Sequence, residues 1–429
     1  MKLIVVFSSA LGAQLFGRYA RAPFWKCLHT RELDSFFPAL SAPAQAAFRT
    51  AAGVDVHGMG ANGFFDRSMK RVFLREQAST IYGGKRIWEE FRARGGKVAQ
   101  ICMQQCQGLD SDLYLSPAPI ITLHGGVIQD MLSQPEDLYQ TVCEENGGRE
   151  FNLMHVWGPF PSAKASRWIA SATETVAKRL AAERDALILT CLPHLDSDPQ
   201  RDGPESSDTE EAFEEYEECA DAIFHTAQEH GFELLILGDY EITDASNPVF
   251  PNKVLASEGF LKLREVEGGM LYPNFHSSRA FALADHQICH IYIADPAKDQ
   301  ARIQALFEAL PGVSCVIRRS DAPEWDHPRC GELILEAEPG AWFAYHWWED
   351  PDQAPDYATH IGFRSKPGVD PMEFHWKIWP PLSVPLDCSL LRGTYGRQCK
   401  VIGASTFMPD SELRSFSGMA EFVRDMLRS

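Results

Sequence analysis

Residues 185–196, with the sequence DALILTCLPHLD, indicate the fold class because a short apolar run ends abruptly in a proline and polar residues. The run at 185–192 has the length and character of a buried strand. Residues 232–237, FELLIL, have the same pattern and end just before Asp239. Ligands of open parallel sheets bind at the carboxyl ends of the strands, so we expect Asp196 and Asp239 at one edge of a sheet.

Strand-like and helix-like stretches alternate over the rest of the chain, which predicts an α/β fold with a mainly parallel sheet sandwiched by helices. Further strands are expected at 3–7 and 97–103. Helices are expected at 41–52, 85–94, 133–145, 162–184 and 209–230.

A change of pattern after Phe260 predicts a small α/β cap insertion, with strands at 288–293 and 314–317 around a helix at 296–310. We therefore divide the chain into a first part of the core domain, a cap and a return to the core. These three parts are residues 1–261, 262–331 and 332–429, and the strand at 332–336 is expected to rejoin the main sheet.

Composition excludes several classes of protein. The net charge of −19 argues against a nucleic-acid partner, which requires concentrated Lys and Arg. No apolar run reaches the roughly 18–20 residues that span a bilayer, so no membrane partner is expected. The eleven cysteines form no C-x-x-C pair, which favours a reducing, cytoplasmic setting. The apolar start at 3–7 is too short for a secretory leader and is typical of a first strand.

Ser41 is the first candidate site residue, in the segment FFPALSAP at 36–43. It lies where a loop turns into a helix, so backbone N–H groups and the helix dipole would face it. That position suits a nucleophile that attacks phosphorus, because the transferred group is negatively charged. The alternative is a helix-capping serine with Pro43 in the first turn.

Asn62 is the second candidate, in the glycine-rich loop HGMGANG at 57–63. Its amide could donate to a phosphoryl oxygen where the glycines allow close approach of the backbone. The alternative is the ordinary turn chemistry of a loop asparagine.

Asp196 and Asp239 are candidate metal ligands. Asp196 belongs to the oxygen-rich segment LPHLDSDPQRDGP at 192–204, and Asp239 to GDYEIT at 238–243. Two carboxylates at one edge would repel each other, so a metal ion or a basic partner is expected between them. The alternative for the first segment is a solvated acidic loop.

The order F-P-A-(S/T) … H-G-M-x-x-N … W-G-P … P-H-L-D … G-D-Y, in which residues 37–41 read F-P-A-L-S, resembles the type I phosphodiesterase and nucleotide pyrophosphatase branch of the alkaline phosphatase superfamily. The likeness spans most of the chain. A closer likeness, to a bacterial and algal subgroup, is visible in WGP at 157–159, SRAFA at 278–282 and DHQ at 285–287.

The resemblance implies an alkaline-phosphatase-like fold and a hydrolase of a phosphodiester, pyrophosphate or phosphonate bond in a small phosphorylated or phosphonate metabolite. Ser41 matches the nucleophile and Asn62 the phosphate-binding asparagine. Asp196 and Asp239 match ligands of a divalent metal, which would be zinc, manganese or magnesium.

The sequence also departs from this pattern at several ligand positions. Only Ser8 and Ser9 stand where the superfamily has an aspartate after the first strand. Gln200, Tyr240 and Tyr395 stand where histidine ligands are expected. These departures motivate a second hypothesis, a non-catalytic member that binds a phosphorylated metabolite or a partner protein in a biosynthetic pathway.

Other residues leave further alternatives open. A hard cation could be held by Asp196, Asp239 and Asp198. The tryptophan-rich segment at 342–348 could hold an acceptor for transfer instead of hydrolysis, or form part of a core. Possible substitute metal ligands, each more often a structural residue, are His286, His290, His346, His360 and His375.

Overall fold

The computed structural model describes residues 1–108, 110–122, 126–156, 160–362, 366–377, 383–409 and 412–429, so the WGP motif at 157–159 lies outside the described residues. The helices are α1 (Ala13–Tyr19), α2 (Ser41–Thr50), α3 (Val54–His57), α4 (Glu89–Ala93), α5 (Leu138–Glu145), α6 (Ala163–Leu180), α7 (Ser197–Asp202), α8 (Ser207–His230), α9 (Pro251–Ser257), α10 (Pro296–Glu308) and α11 (Phe416–Arg428). None of these helices, in the part of the chain that is described, has the length and apolar character needed to cross a bilayer.

The strands are β1 (Lys2–Ser8), β2 (His29–Asp34), β3 (Gly63–Asp66), β4 (Arg71–Leu74), β5 (Lys97–Ile101), β6 (Leu113–Pro117), β7 (Ile120–Ile121), β8 (Val127–Ile128), β9 (Met131–Gln134), β10 (Ala186–Leu192), β11 (Glu233–Gly238), β12 (Thr243–Asp244), β13 (Asn247–Val249), β14 (Leu263–Glu265), β15 (Leu271–Pro273), β16 (Ala280–Asp285), β17 (Ile288–Ile293), β18 (Val313–Arg318), β19 (Leu333–Ala337), β20 (Ala341–Phe343), β21 (Gly393–Thr394) and β22 (Lys400–Ser405).

The main sheet has eight strands among the described residues, in the order β2-β22-β11-β1-β10-β5-β6-β9. The five central strands, β11, β1, β10, β5 and β6, run parallel. The strands β22 and β9 are antiparallel to their inner neighbours. The predicted α/β fold with a largely parallel sheet is confirmed.

Helices cover both faces of this sheet, which is why its central strands are apolar on both sides. On one face Phe7 of β1 packs edge-on against Phe48 of α2, with ring centroids 5.1 Å apart, and Phe48 in turn contacts Phe416 of α11. On the other face α6 packs on β10, where the hydroxyls of Thr173 and Thr190 lie 3.0 Å apart. The core is therefore a three-layer sandwich.

The carboxyl ends of three neighbouring strands lie level with one another. Ser8 at the end of β1 pairs in register with Leu192 of β10 and with Gly238 of β11. A side chain on Gly238 would overlap the carbonyl oxygen of Leu11, so this close approach of the loop after β1 requires glycine. The segments that follow these strands therefore start side by side at one edge.

A second sheet, in the order β16-β17-β19-β18, is antiparallel and carries α10 on β18 and α9 on β16. The strand expected at 332–336 to rejoin the main sheet instead forms β19 between β17 and β18. That expectation was wrong, because Leu333 and Leu335 belong to the apolar core of the second sheet.

Two predicted helices are shorter than expected. The helix expected at 85–94 is reduced to α4, with Trp88 immediately before it. The helix expected at 133–145 begins only at Leu138, because residues 131–134 pair with β6 as the edge strand β9. An apolar segment next to an open sheet edge gains backbone hydrogen bonds by pairing, and this overrode the local helical pattern.

The central sheet should be far more sensitive to truncation than its edge. Leu189→Ala, in the fully buried β10, should lower the free energy of unfolding by about 2–5 kcal/mol, because it removes packed methyl groups and leaves a cavity. Leu132→Ala, on the edge strand β9 where the side chain is 43% exposed, should cost about 0.5 kcal/mol or less. Urea unfolding followed by circular dichroism compares the two, and equal losses would contradict this assignment of the core.

Candidate active site

Ser41 is the first residue of α2, and its hydroxyl points away from the helix it begins. The N-cap position is Leu40, with no side-chain cap. The Ser41 hydroxyl instead donates to Oδ2 of Asp239 across 2.9 Å. The capping alternative therefore does not describe this serine, whose side chain joins the start of α2 to the end of β11.

Asp239 is fully buried directly after β11. Its Oδ1 accepts a hydrogen bond from the backbone N–H of Ala10 at 3.2 Å, and Oδ2 accepts from Ser41. Burial raises the pKa of Asp239 to about 8, against the lowering effect of the Ser41 bond, and the charge of Asp196 raises it further. This carboxyl group can exchange a proton near neutral pH.

Asn62 connects α2 to the second sheet. Its Oδ1 accepts from the backbone N–H of Ala42 at 3.1 Å, which satisfies one of the open donors at the start of α2. Its backbone N–H and its Nδ2 donate to the two carboxylate oxygens of Asp285, at 2.7 and 3.2 Å. These contacts fix the side-chain amide beside Ser41, and they go beyond turn chemistry.

Asp196 lies just after β10 and accepts a hydrogen bond from the Tyr240 hydroxyl at 2.6 Å. Burial raises the pKa of Asp196 to about 6, partly offset by the Tyr240 bond and by the positive charge of Arg75. Asp196 is thus held in a polar network, which a solvated acidic loop would not provide.

One cavity of about 150 Å³ brings these groups together. Ser41, Asn62 and Asp196 line it. Asp239 contacts Ser41 from the buried side. The structure therefore places all four sequence-predicted residues in one neighbourhood at the carboxyl edge of the main sheet.

Three further residues belong to this neighbourhood. Asp285 ends β16 and is buried, and burial raises its pKa to about 6. His286 follows it in the turn to β17 and lines the cavity. Both lie in the DHQ stretch, where the sequence had offered His286 as a possible substitute metal ligand and had given Asp285 no role. Arg75, directly after β4, also lines the cavity and carried no motif that could have identified it.

The donor set does not suit the divalent-metal centre that the resemblance implies. Among the described residues, no group of three or more His, Cys, Asp and Glu side chains is arranged to hold a metal ion. The Ser8 hydroxyl lies 2.7 Å from that of Tyr216, and Nε2 of Gln200 donates to the Asp196 carbonyl at 2.9 Å. Zinc in particular favours imidazole and thiolate ligands, which these positions lack.

Tyr240 and Tyr395, which stand where the resemblance implies histidine ligands, contact each other. The rings of Tyr240 and Tyr395 stack with centroids 3.8 Å apart. Gly393 holds the Tyr395 segment close to α7, because a side chain there would overlap the carbonyl oxygen of Pro199. The stacked pair is a built part of the core, since both side chains are at most 5% exposed.

Most of the alternative ligands serve structural roles. Nε2 of His290 bonds the Gly60 carbonyl, and its Nδ1 accepts from the Gly331 N–H. His346 is buried and stacks on Trp348 at 4.2 Å, while His360 is exposed. His375 is partly buried, and the described cavity wall does not include it.

The tryptophan-rich segment is also part of the core. Trp342, Trp347 and Trp348 are at most 3% exposed. None of these rings is available to stack on an acceptor, so the core alternative for this segment is the right one.

Comparisons with known proteins identify a matching family model and solved structures with a similar fold. A family model described as type I phosphodiesterase / nucleotide pyrophosphatase matches residues 4–367. No curated protein matches the sequence.

Solved structures with a similar fold have low sequence identity. Phosphonoacetate hydrolase from Sinorhizobium meliloti 1021, in complex with phosphonoformate, is 13% identical with a TM-score of 0.58, over 99% of this chain and 95% of that chain. Murine ectonucleotide pyrophosphatase/phosphodiesterase 5, in an inactive form in complex with AMP, is 13% identical with a TM-score of 0.61, over 100% and 95%. The human counterpart is 13% identical with a TM-score of 0.59, over 100% and 95%. These likenesses concern the fold.

The buried Asp239 should make stability depend on pH. Its pKa in the folded protein is raised above the value in the unfolded chain, so its contribution to stability is complete below about pH 4 and is lost as the pH rises through about 8. Asn cannot ionise, so the free energy of unfolding of Asp239→Asn should rise relative to that of the wild type as the pH increases over this range. The total change should be on the order of a few kcal/mol.

The measurement is urea unfolding of both proteins at several pH values. Asp352→Asn, which removes a carboxylate from an exposed position, is the matched control and should stay parallel to the wild type. A constant difference between Asp239→Asn and the wild type from pH 4 to 9 would contradict the assignment.

Proposed function

Because the chain belongs to the type I phosphodiesterase and nucleotide pyrophosphatase family, we propose that it hydrolyses a phosphodiester, pyrophosphate or phosphonate bond in a small molecule, with Ser41 as the nucleophile. The observation that carries the proposal is the 2.9 Å hydrogen bond from the Ser41 hydroxyl to Asp239 beside a cavity. A serine hydroxyl needs a partner that takes its proton, and Asp239 is in place for it.

The residues of the chain divide the reaction between them. Oγ of Ser41 attacks phosphorus, its proton passes to Asp239, and the bond from phosphorus to the leaving group breaks in line. The dipole of α2 and the second Nδ2 hydrogen of Asn62, whose first donates to Asp285, stabilise the charge that develops on the phosphoryl oxygens. Water then attacks the phosphoserine, Asp239 returns its proton to the departing Ser41 oxygen, and the proton of the water is released with the product.

The size of the cavity and the polar residues around Ser41 support a small substrate. Its volume of about 150 Å³ suits part of a metabolite, and the wall near Ser41 is polar. The similar structures with bound phosphonoformate and AMP support the same ligand class, a phosphonate or phosphorylated metabolite.

A second candidate function is binding of such a metabolite without turnover. The stacked pair of Tyr240 and Tyr395, together with Gln200, favours it because these residues stand where the resemblance implies metal ligands. The activity of the purified protein separates the two candidates.

We place the protein in the cytoplasm. All eleven cysteines lie in the described part of the chain, and all are free thiols. A reducing compartment maintains that state.

Ser41→Ala should reduce hydrolysis of bis(p-nitrophenyl) phosphate by about three orders of magnitude or more, because the nucleophile is removed. Ser41→Thr keeps a hydroxyl at the start of α2 and should retain measurable activity. Release of p-nitrophenolate measures both rates.

Ser257→Ala is the control, at an exposed serine of α9, and it should hydrolyse at the wild-type rate. Undiminished hydrolysis by Ser41→Ala would reject the nucleophile. A wild-type protein that binds phosphonates and hydrolyses none of these bonds would favour the second candidate.

A further inference from the structure

We propose that Glu373 and Gln200, in the wall of the cavity, bind a primary ammonium group of the substrate, so that the chain takes a phosphate ester or phosphonate that also carries an amine. The inference rests on the proposed function for the phosphoryl half of the ligand, and it adds the chemistry of the other half. It assigns a binding role to two residues that the proposed reaction does not use.

The segment at 366–374 brings an excess of negative charge to the cavity. Lys366, Asp370 and Glu373 all line the cavity wall. The Lys366 ammonium lies 2.7 Å from Asp370 and 2.9 Å from Glu373, and the side chains of the three residues are 2%, 4% and 12% exposed. Two carboxylates against one ammonium leave one negative charge, and a charge held away from water needs a partner. A cationic group of a ligand supplies that partner.

The hydrogen bonds of the two carboxylates show which oxygen a ligand can use. Both oxygens of Asp370 are occupied, since Oδ2 accepts from Lys366 and Oδ1 accepts from the Met372 backbone N–H at 3.1 Å. Oε1 of Glu373 lies beside Lys366 and accepts from the Gly362 backbone N–H at 3.1 Å. Among the described residues, nothing donates a hydrogen bond to Oε2 of Glu373, so this oxygen is available.

Gln200 gives a second, independent indication of the ligand. It lines the same cavity and is fully buried, and its Nε2 donates to the backbone carbonyl of Asp196 at 2.9 Å. A carbonyl oxygen can only accept, so this bond fixes which end of the amide is the nitrogen. The other end, Oε1, has no partner in the described part of the chain. A buried acceptor without a donor is costly, so a donor on the ligand would stabilise this site.

The two acceptors belong to elements that pack together. α7 carries Gln200 and contacts the short 3₁₀ helix Pro371–His375, which carries Glu373. The arginine of α7, Arg201, forms ion pairs with Asp198 and Asp202. Its charge is therefore balanced locally and does not offset the excess at Glu373.

A primary ammonium has the chemistry that both acceptors require. It carries one positive charge and three N–H donors, so it can donate to Oε2 of Glu373 and to Oε1 of Gln200 at once. A hydroxyl offers one donor without the charge, and a methyl group offers neither. A site that leaves a buried acceptor unpaired rejects such analogues. The amine of the substrate would thus select the ligand while its phosphoryl group lies at Ser41.

Calorimetric titration of the full-length protein with three phosphonates tests the proposal. They are aminoethylphosphonate, hydroxyethylphosphonate and propylphosphonate, which differ only in the ammonium, hydroxyl or methyl group at the end of the chain. The wild type should bind the ammonium compound about tenfold or more tightly than the methyl compound, because hydrogen bonds to a charged group replace unpaired acceptors. The hydroxyl compound should lie between the two.

Two variants assign the preference to residues. Glu373→Gln keeps an oxygen for Lys366 and Gly362 and removes the excess charge, so it should lose the preference for the ammonium compound and bind propylphosphonate as the wild type does. Gln200→Met removes the free acceptor and should reduce the preference severalfold. The control is Glu338→Gln, at an exposed glutamate directly after β19 and outside the cavity wall, which should keep the preference of the wild type.

Three results would overturn the proposal. They are no binding of aminoethylphosphonate by the wild type, equal or weaker binding of it than of either analogue, or an unchanged preference in a folded Glu373→Gln protein. The comparison of the three compounds uses only the wild type, so it decides the question even where a variant fails to fold.

The same titration separates this inference from the proposed function. Equal binding of all three phosphonates by a protein that hydrolyses bis(p-nitrophenyl) phosphate would remove the ammonium site and leave the hydrolase. A clear preference for aminoethylphosphonate in a protein without hydrolysis would support the ammonium site and reject the hydrolase.

Discussion

The hydrogen bond from Ser41 to Asp239 ties together two distant parts of the chain, 198 residues apart. The Asp239 end of this bond is positioned by the main sheet, since β11 and β1 are parallel neighbours whose carboxyl ends lie level, and Gly238 lets the loop after β1 come close enough for the Ala10 N–H to bond Asp239. A buried carboxyl group held by a serine and a backbone N–H cannot relax into water. The position of the cavity and the chemistry proposed for it both depend on this contact.

The balance of charge around that contact distinguishes this chain from the pattern it resembles. Asp196, Asp239 and Asp285 are close enough for their charges to interact. A metal centre would neutralise such acids with cations, whereas here a tyrosine hydroxyl, raised pKa values and the charge of Arg75 limit the repulsion. Family membership and altered ligand positions are compatible if the fold keeps the position of the site while the residues that line it change.

The sequence alone was sufficient to predict which aspartates lie at the edge of the sheet. It was not sufficient to predict which other residues line the cavity. Apolar runs ending before Asp196 and Asp239 predicted their shared edge, because parallel strands align their carboxyl ends. Ser41 was identifiable from its place between a loop and a helix. Arg75 was not, because a short hairpin outside the main sheet brings it to the site. The same limit explains why the strand at 332–336 was wrongly expected in the main sheet, since a strand pattern does not specify which sheet the strand joins.

The contacts between the two tyrosines, Tyr240 and Tyr395, could not be predicted from the sequence either. Tyr240 and Tyr395 were recognised as departures at ligand positions, but their stacking depends on the packing of a C-terminal segment against α7.

The central claim is that Ser41 forms a bond to phosphorus. Mass spectrometry of the wild type, acid-quenched during turnover of bis(p-nitrophenyl) phosphate, should find a phosphoryl adduct on the peptide that contains Ser41. Turnover with no adduct on this peptide, and with Ser41→Ala equally active, would contradict the account.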